Sequence, residues 1–200
     1  MPRVAILYGW SPLTSDVVVF GDANWAGCLR TRKSTLGGFA TWGGLPIKTW
    51  SKTMSILALS SAESELAAII KSCGEGIGIQ SLLSDFGIQT HLTVKSDASA
   101  AIGICKRQGL GRVRHLATGD LWVQQLLRHK RVTLEKWPTQ TNPADLLTKG
   151  LSRDRIQSLL QLMRMQAQGG RAPIAPVRDG MSPMYGPALI DYEADSDIGE

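Results

Sequence analysis

Residues 16–27 have the sequence DVVVFGDANWAG, and this stretch decides the fold. Its first part is β-branched and apolar enough for a buried strand, which ends in a carboxylate, Asp22, beside a glycine. A turn-rich stretch follows. A second, alternating strand at 91–97 (HLTVKSD) again ends in an aspartate, Asp97, and leads into a helical stretch. Two strands thus end in an acid, and this pattern predicts an α/β sheet that carries carboxylates at one edge.

The segments around these two strands predict the element order βββαβαβα. Residues 34–42 and 46–50 are separated by the turn sequence GGL, which favours a hairpin. At Ser60 the hydrophobic period becomes that of a helix, and Glu63 three residues later completes a capping box. The other predicted elements are a helix after Asp97, a helix at 116–129, a strand at 132–137, and a helix that Asn142 caps, Pro143 begins and Asp145 and Leu147 continue.

The composition predicts one domain with a tail. The 200 residues include 22 Lys and Arg against 17 Asp and Glu, a formal net charge of +5, and 43% are hydrophobic, which is enough for a single core. From position 169 the sequence is rich in Gly and Pro and then acidic, without helical or alternating periodicity. We therefore predict a lead-in at 1–14, a domain at 15–165 and a disordered tail at 166–200.

Composition also limits where the protein is expected to act. No stretch approaches the roughly 18 uncharged apolar residues of a membrane helix, and the first residues have too short an apolar run for a secretory leader. Cys28, Cys73 and Cys105 are widely spaced and odd in number, so they predict neither a disulfide framework nor a zinc site. We expect an intracellular protein, cytoplasmic or nuclear, with no membrane partner. The sequence leaves the oligomeric state open.

Acidic residues on separate predicted elements converge if the two acid-ended strands are neighbours. Like charges so close repel one another and need cations between them, and an all-oxygen site suits Mg²⁺ or Mn²⁺. Two Mg²⁺ ions would favour phosphodiester hydrolysis. Each acid taken singly also has a structural explanation as a turn, cap or helix-dipole residue, and only the set favours function. The set consists of Asp22, Glu65, Asp97 and Asp145, whereas Glu63, about 200° around the helix from Glu65, is assigned to the cap.

Five sequence strings resemble, in order and spacing, the RNase H domain at the carboxyl end of the pol polyprotein of copia-type LTR retrotransposons. They are GDANWAGC, TRKSTLGGFATWGGLPIKTWSK, ALSSAESELAAI, VKSDASAAI and NPADLLTKGL, and the resemblance spans about residues 15–160. It implies an RNase H-like α/β fold, with a mixed five-stranded sheet and flanking helices. The implied activity is endonucleolytic hydrolysis of the RNA strand of RNA/DNA hybrids with two Mg²⁺ ions, for which Mn²⁺ substitutes.

The resemblance also implies site residues and partners. The catalytic and metal-binding residues would be Asp22, Glu65, Asp97 and Asp145. The partners would be an RNA/DNA hybrid and the reverse transcriptase domain of the same polyprotein, with virus-like particles as one implied location.

Two positions depart from the family pattern. Members commonly have an acid where Asn24 stands and an asparagine where Ala98 stands, and both positions flank predicted ligands. The reverse transcriptase, integrase and protease segments of such polyproteins have no match in these 200 residues. The alternative interpretation is therefore a catalytically silent, nucleic-acid-binding remnant of a transposon. An integrase-type strand transferase would share the metal chemistry but needs a different spacing of acids.

Basic residues are concentrated between Cys105 and Trp137, where eight Lys or Arg accompany two acids. Such a patch would bind the phosphates of a hybrid without reading its sequence, although a solvated helix face has the same composition. Trp25 either stacks on a sugar or base or packs the first loop onto the sheet. The predicted nucleic-acid contacts are Asn24, Trp25, Arg32, Lys33, Arg112, Arg114 and His115.

Overall fold

The computed structural model describes residues 3–6, 8, 14–109 and 122–168. The strands in these ranges are β1 (Arg3–Ile6), β2 (Asp16–Asn24), β3 (Thr35–Trp42), β4 (Leu45–Thr53), β5 (His91–Ser96), β6 (Thr133–Lys136) and β7 (Met165–Gln168). The α-helices are α1 (Ser61–Asp85), α2 (Ser99–Lys106), α3 (Trp122–Arg128) and α4 (Arg153–Leu162), and 3₁₀ turns occupy Thr139–Thr141 and Pro143–Leu147. The tail from 169 onward and the candidate contacts Arg112, Arg114 and His115 lie outside the described residues.

Five strands form one mixed sheet in the order β4-β3-β2-β5-β6. Strands β2, β3 and β4 are antiparallel neighbours, whereas β5 is parallel to both β2 and β6. A two-residue turn joins β3 to β4, and the loop of residues 25–34 joins β2 to β3. Parallel neighbours need a crossover connection, and helices supply it: α1 precedes β5, while α2 and α3 lie between β5 and β6. The sheet and its flanking helices confirm the predicted fold class.

Helix α1 packs closely on the central strand of the sheet. Val17 and Val19 point from β2 into the core, where Leu66 and Ile69 of α1 are also fully buried. A Cβ atom at Gly21 would lie 2.5 Å from Ser72 Oγ, so a glycine is needed where α1 crosses β2. This close approach places the N-terminal half of α1 beside the carboxyl end of β2.

By length and composition alone, α1 is long and apolar enough to cross a membrane, which corrects the expectation that no stretch of the sequence approaches this composition. In the structure, however, Ala68, Ile69 and Cys73 of this helix are buried among the core residues of the sheet. Lys71 and Glu75 form an ion pair with an N–O distance of 2.8 Å on a less buried part of its surface. A helix with one face in the core and charges elsewhere is the pattern of a central helix in a globular domain.

Two features differ from the sequence-based expectations. Strands β1 and β7 pair antiparallel in a separate two-stranded sheet, across the limits predicted for the domain at 14 and 165, although the domain division itself stays a prediction.

The segment after Asn142 forms a 3₁₀ turn over Pro143–Leu147 rather than an α-helix. The predicted cap is present, since the Asn142 side chain accepts a hydrogen bond from the Ala144 amide, but the turn ends at Leu147, where the Thr148 amide donates to the Asp145 carbonyl three residues back.

Candidate metal centre

Asp22 and Asp97 lie at the same edge of the sheet because their strands are parallel. Phe20 of β2 pairs with Lys95 of β5, and each aspartate lies two residues beyond that pair. Asp22 is fully buried, whereas Asp97 is partly exposed. The carboxyl edge of a parallel pair therefore carries both acids, as the two acid-ended strands predict.

Glu65 comes to this edge from the first turns of α1. The Ser60 hydroxyl accepts a hydrogen bond from the Glu63 amide at 3.2 Å, and the Glu63 carboxylate accepts one from the Leu59 amide at 2.6 Å. Glu63 is thus occupied at the helix start. One carboxylate oxygen each of Asp22, Glu65 and Asp97 lies within 4.8 Å of the others, which places Glu65 rather than Glu63 beside the two aspartates.

Burial and mutual repulsion destabilise the charged forms of Asp22 and Glu65 in this cluster. Burial, followed by the negative charges of Asp22 and Asp97, raises the pKa of Glu65 to about 8. Burial also raises the pKa of Asp22, although Thr148 and Lys149 oppose this shift. Glu65 Oε2 is buried without a hydrogen-bond partner. An unsatisfied carboxylate oxygen within an all-oxygen cluster fits a hard divalent cation such as Mg²⁺ or Mn²⁺.

Asp145, the fourth predicted ligand, lies in a different environment. It is buried and is not a member of the three-acid cluster found among the described residues. The ammonium of Lys149 is 2.6 Å from Asp145 Oδ1 and 3.1 Å from Asp22 Oδ1, and Arg155 Nη2 is 3.4 Å from Asp145 Oδ2. Burial opposes the charge of Lys149, but its bonds to Asp145 and Asp22 raise its pKa overall. Asp145 is therefore connected to Asp22 through a lysine.

The 3₁₀ turn that carries Asp145 is fixed to the sheet by close packing and hydrogen bonds. A Cβ atom at Gly37, opposite Asp22 in the register, would lie 2.5 Å from Thr148 Cγ2, so glycine is required at this contact. Asn142 donates to the Gly21 carbonyl at 3.3 Å, and the Thr148 hydroxyl donates to Asp22 Oδ2. These contacts hold the turn against β2 and β3.

Three of the four predicted nucleic-acid contacts within the described residues already make side-chain hydrogen bonds inside the domain. Asn24 donates to the Thr148 carbonyl at 3.1 Å and so ties β2 to the 3₁₀ turn. Trp25 donates from its indole to the Ala58 carbonyl at 3.1 Å while about half of its surface stays exposed. Lys33 donates to the Ser55 carbonyl at 2.6 Å, and Arg32 is exposed with a positive φ of 54°.

An open cleft lies between the starts of α1 and α2. Glu65 and Asp97 line it together with Ser60 and Ser99, so both carboxylates face an accessible surface. Ala98, where the family commonly has an asparagine, also lines the cleft, and its amide donates to Ser96 Oγ at 3.2 Å.

Sequence reasoning missed the polar residues that surround Asp145 and Asp22. Lys149, Thr148 and Arg155 were not singled out, although each bonds to one of these acids. The spacing of four between Asp145 and Lys149 was a usable signal, because opposite charges at this separation are neighbours on a helical turn. The contact of Lys149 with Asp22, 127 residues away, had no comparable local signal.

The fold and this edge define an α/β domain with a carboxylate site suited to divalent metal. The chain is similar to the retrovirus-related Pol polyprotein from transposon TNT 1-94 of Nicotiana tabacum, with 30% identity over 157 residues, 76% of this chain and 12% of that protein. It is also similar to the Pol polyprotein from transposon RE2 of Arabidopsis thaliana, with 30% identity over 148 residues, 72% of this chain and 10% of that protein. The chain thus spans about a tenth of these curated relatives.

Among solved structures, LC11-RNase H1 in complex with an RNA/DNA hybrid matches 66% of this chain and 93% of its own, with 14% identity and a TM-score of 0.47. No family model matches the chain. The chain belongs to the retrovirus-related transposon Pol polyproteins, of which it corresponds to one segment, and this confirms the family predicted from its motifs.

Proposed function

We propose that this domain is a divalent-metal-dependent endoribonuclease that hydrolyses the RNA strand of RNA/DNA hybrids. The observation that carries the proposal is the cluster of Asp22, Glu65 and Asp97, with oxygens within 4.8 Å of one another at an open edge of the sheet. The relationship to transposon Pol polyproteins supports it, because copying an RNA transposon produces such hybrids. The reverse transcriptase domain of a copia-type polyprotein is the proposed partner, inside the cell or in virus-like particles.

The residues of the edge divide into ligands and supports. Asp22, Glu65 and Asp97 would hold a divalent cation, Mg²⁺ or Mn²⁺, and Asp145 is the proposed further ligand of a two-ion site. When bound, such ions activate water and stabilise the leaving oxygen of a phosphodiester. Within the protein, Thr148 and Lys149 orient Asp22 by hydrogen bonds to its two oxygens. The cleft beside Glu65 and Asp97 gives the scissile phosphate access to these acids.

The test is cleavage of a labelled RNA/DNA hybrid with Mg²⁺ and with EDTA. We expect cleavage only with Mg²⁺, and a loss of at least about a thousandfold in Asp97→Asn and Glu65→Gln, since both remove an ion ligand. Glu63→Gln is the matched control and should cleave normally. A wild type that binds the hybrid without cutting it would favour the alternative function, a catalytically silent binding module. The departures from the family pattern at Asn24 and Ala98 support that alternative.

Substrate binding is proposed to depend on phosphate contacts from Arg32, Lys33, Arg112, Arg114 and His115, with Asn24 and Trp25 beside the site. With Ca²⁺ in place of Mg²⁺, replacing Arg112 and Arg114 by alanine should lower the slope of log affinity against log salt by roughly one to two units. Because phosphates carry no base information, affinity should fall alike for every hybrid sequence. An unchanged slope would assign these arginines to a solvated surface.

A further inference from the structure

We propose that Lys149 takes the place of a second divalent cation in the free domain, so that the acidic edge binds a single metal ion while Lys149 contacts Asp22. The inference rests on the proposed function, because it concerns the same carboxylates. Its basis is geometric: the Lys149 ammonium bridges Asp22 Oδ1 at 3.1 Å and Asp145 Oδ1 at 2.6 Å. The ammonium shared by the two acids supplies the positive charge that a further divalent ion would supply to them.

The arrangement of the oxygens divides the four acids into two groups. Both oxygens of Asp145 are engaged, one by Lys149 and the other by Arg155 at 3.4 Å. Glu65 instead has a buried oxygen with no partner. Both Asp22 oxygens are also engaged, but one of them only by the neutral Thr148 hydroxyl, so Asp22, Glu65 and Asp97 each keep an oxygen that no protein cation holds. A metal ion at Asp145 would compete with a protein cation at either oxygen.

The charge balance leads to the same number of ions. Four carboxylates stand against the two cations Lys149 and Arg155, so the fully ionised edge has an excess of two negative charges, which one divalent ion neutralises. A second ion would bring the edge to a net positive charge with both protein cations in place. Its entry requires that Lys149 leave Asp22, or that a substrate phosphate contribute the missing negative charge.

The local backbone holds Lys149 in this position. The Lys149 amide donates to the Asp145 carbonyl at 3.0 Å, and the neighbouring Thr148 hydroxyl donates to Asp22. Arg155 is held separately, since its guanidinium also donates to the Thr139 and Gln140 carbonyls. Replacing Lys149 by an uncharged residue of similar length thus removes the cation shared by the two acids and leaves Arg155 anchored.

The experiment counts Mn²⁺ ions bound to the full chain by electron paramagnetic resonance of free Mn²⁺, without nucleic acid. We expect one ion per chain in the wild type and two in Lys149→Met. Lys149→Gln is the second variant and should also bind two. Lys71→Met is the matched control, because Lys71 forms an ion pair with Glu75 at the same sequence spacing but away from the site, and it should bind one.

The outcomes separate this inference from the proposed function. Two ions in the wild type, or one ion in folded Lys149→Met and Lys149→Gln, would overturn the role of Lys149 and leave the proposed hydrolysis standing. No Mn²⁺ bound to the wild type, or binding undiminished in Asp97→Asn, would contradict the metal site and hence the proposed function. Circular dichroism with and without Mn²⁺ confirms that each variant is folded, and the wild-type count tests the inference even if both variants unfold.

Discussion

The acidic edge has two halves, which differ in whether lysine and arginine side chains pair with their carboxylates. On one half, Glu65 and Asp97 form no ion pair with the described residues, and they line an open cleft. On the other half, Asp145 is buried and paired with both Lys149 and Arg155. Asp22 lies between the halves and contacts Lys149 while it belongs to the three-acid cluster. The open half therefore offers affinity for a cation, and the paired half contributes stability to the fold.

Removing the cation from the paired half should have the largest effect on stability. Lys149→Met in EDTA at pH 7 leaves Asp22 and Asp145 buried with one cation fewer, and should lower the free energy of unfolding by about 2–3 kcal/mol. The loss is below that of a fully orphaned pair because Arg155 still bonds Asp145. Urea unfolding measures it, with Lys71→Met as the control, for which we expect less than about 1 kcal/mol. Equal losses would mean that the Lys149 pairing contributes no more to stability than the more exposed ion pair of Lys71 with Glu75.

Supplying a cation to the open half should stabilise the wild type by a comparable amount. Mn²⁺ at a hundred times its Kd should raise the free energy of unfolding by about 2.7 kcal/mol, because the ion binds only the folded chain. At one fixed Mn²⁺ concentration, the gain should be smaller at pH 6.5 than at pH 8, since Glu65, whose pKa is about 8, must release its proton to bind metal. Calorimetry at both pH values measures it. A Tm that Mn²⁺ leaves unchanged, or raises equally in Asp97→Asn, would contradict a site at these acids.

The carboxylates of the open half should also affect how the free energy of unfolding depends on pH in the absence of metal. In the folded state Glu65 keeps its proton up to about pH 8, whereas in the unfolded state it loses it near pH 4.5. Folded protein then binds more protons than unfolded protein between these values, so the stability that protonated Glu65 contributes is complete below pH 4.5 and is lost as the pH rises through 8. Glutamine does not titrate, so the stability of Glu65→Gln does not fall with pH for this reason.

In EDTA, therefore, Glu65→Gln should become more stable than the wild type as the pH rises from 4.5 to 8, by about 1–2 kcal/mol, a value reduced because Glu65 is partly exposed. Urea unfolding at several pH values measures this difference. A difference that stays constant with pH would mean that the carboxylate is already compensated.

The open half was largely predictable from sequence, and the paired half was not. Asp22 and Asp97 follow short β-branched strands, and the helix period separates Glu65 from Glu63, so local patterns were sufficient there. The contact between Lys149 and Asp22 joins residues 127 positions apart and depends on the glycine at 37, which no periodicity shows. The pairing of β1 with β7 was missed for the same reason, since each strand is four residues long and half-exposed.

The smallest expected effect compares the two glutamates of α1, which lie two residues apart. Glu63 accepts from the Leu59 amide, and a glutamine oxygen can do the same, so Glu63→Gln should cost only a few tenths of a kcal/mol and leave Mn²⁺ binding and hybrid cleavage intact. Ser60→Ala, which removes the other hydrogen bond at this helix start, should cost about 1 kcal/mol and also leave the metal count unchanged. Urea unfolding and Mn²⁺ titration of both variants measure this. If Glu63→Gln abolished Mn²⁺ binding and Glu65→Gln did not, Glu63 would be the metal ligand. The open half of the edge would then lie on the face of α1 that carries Glu63.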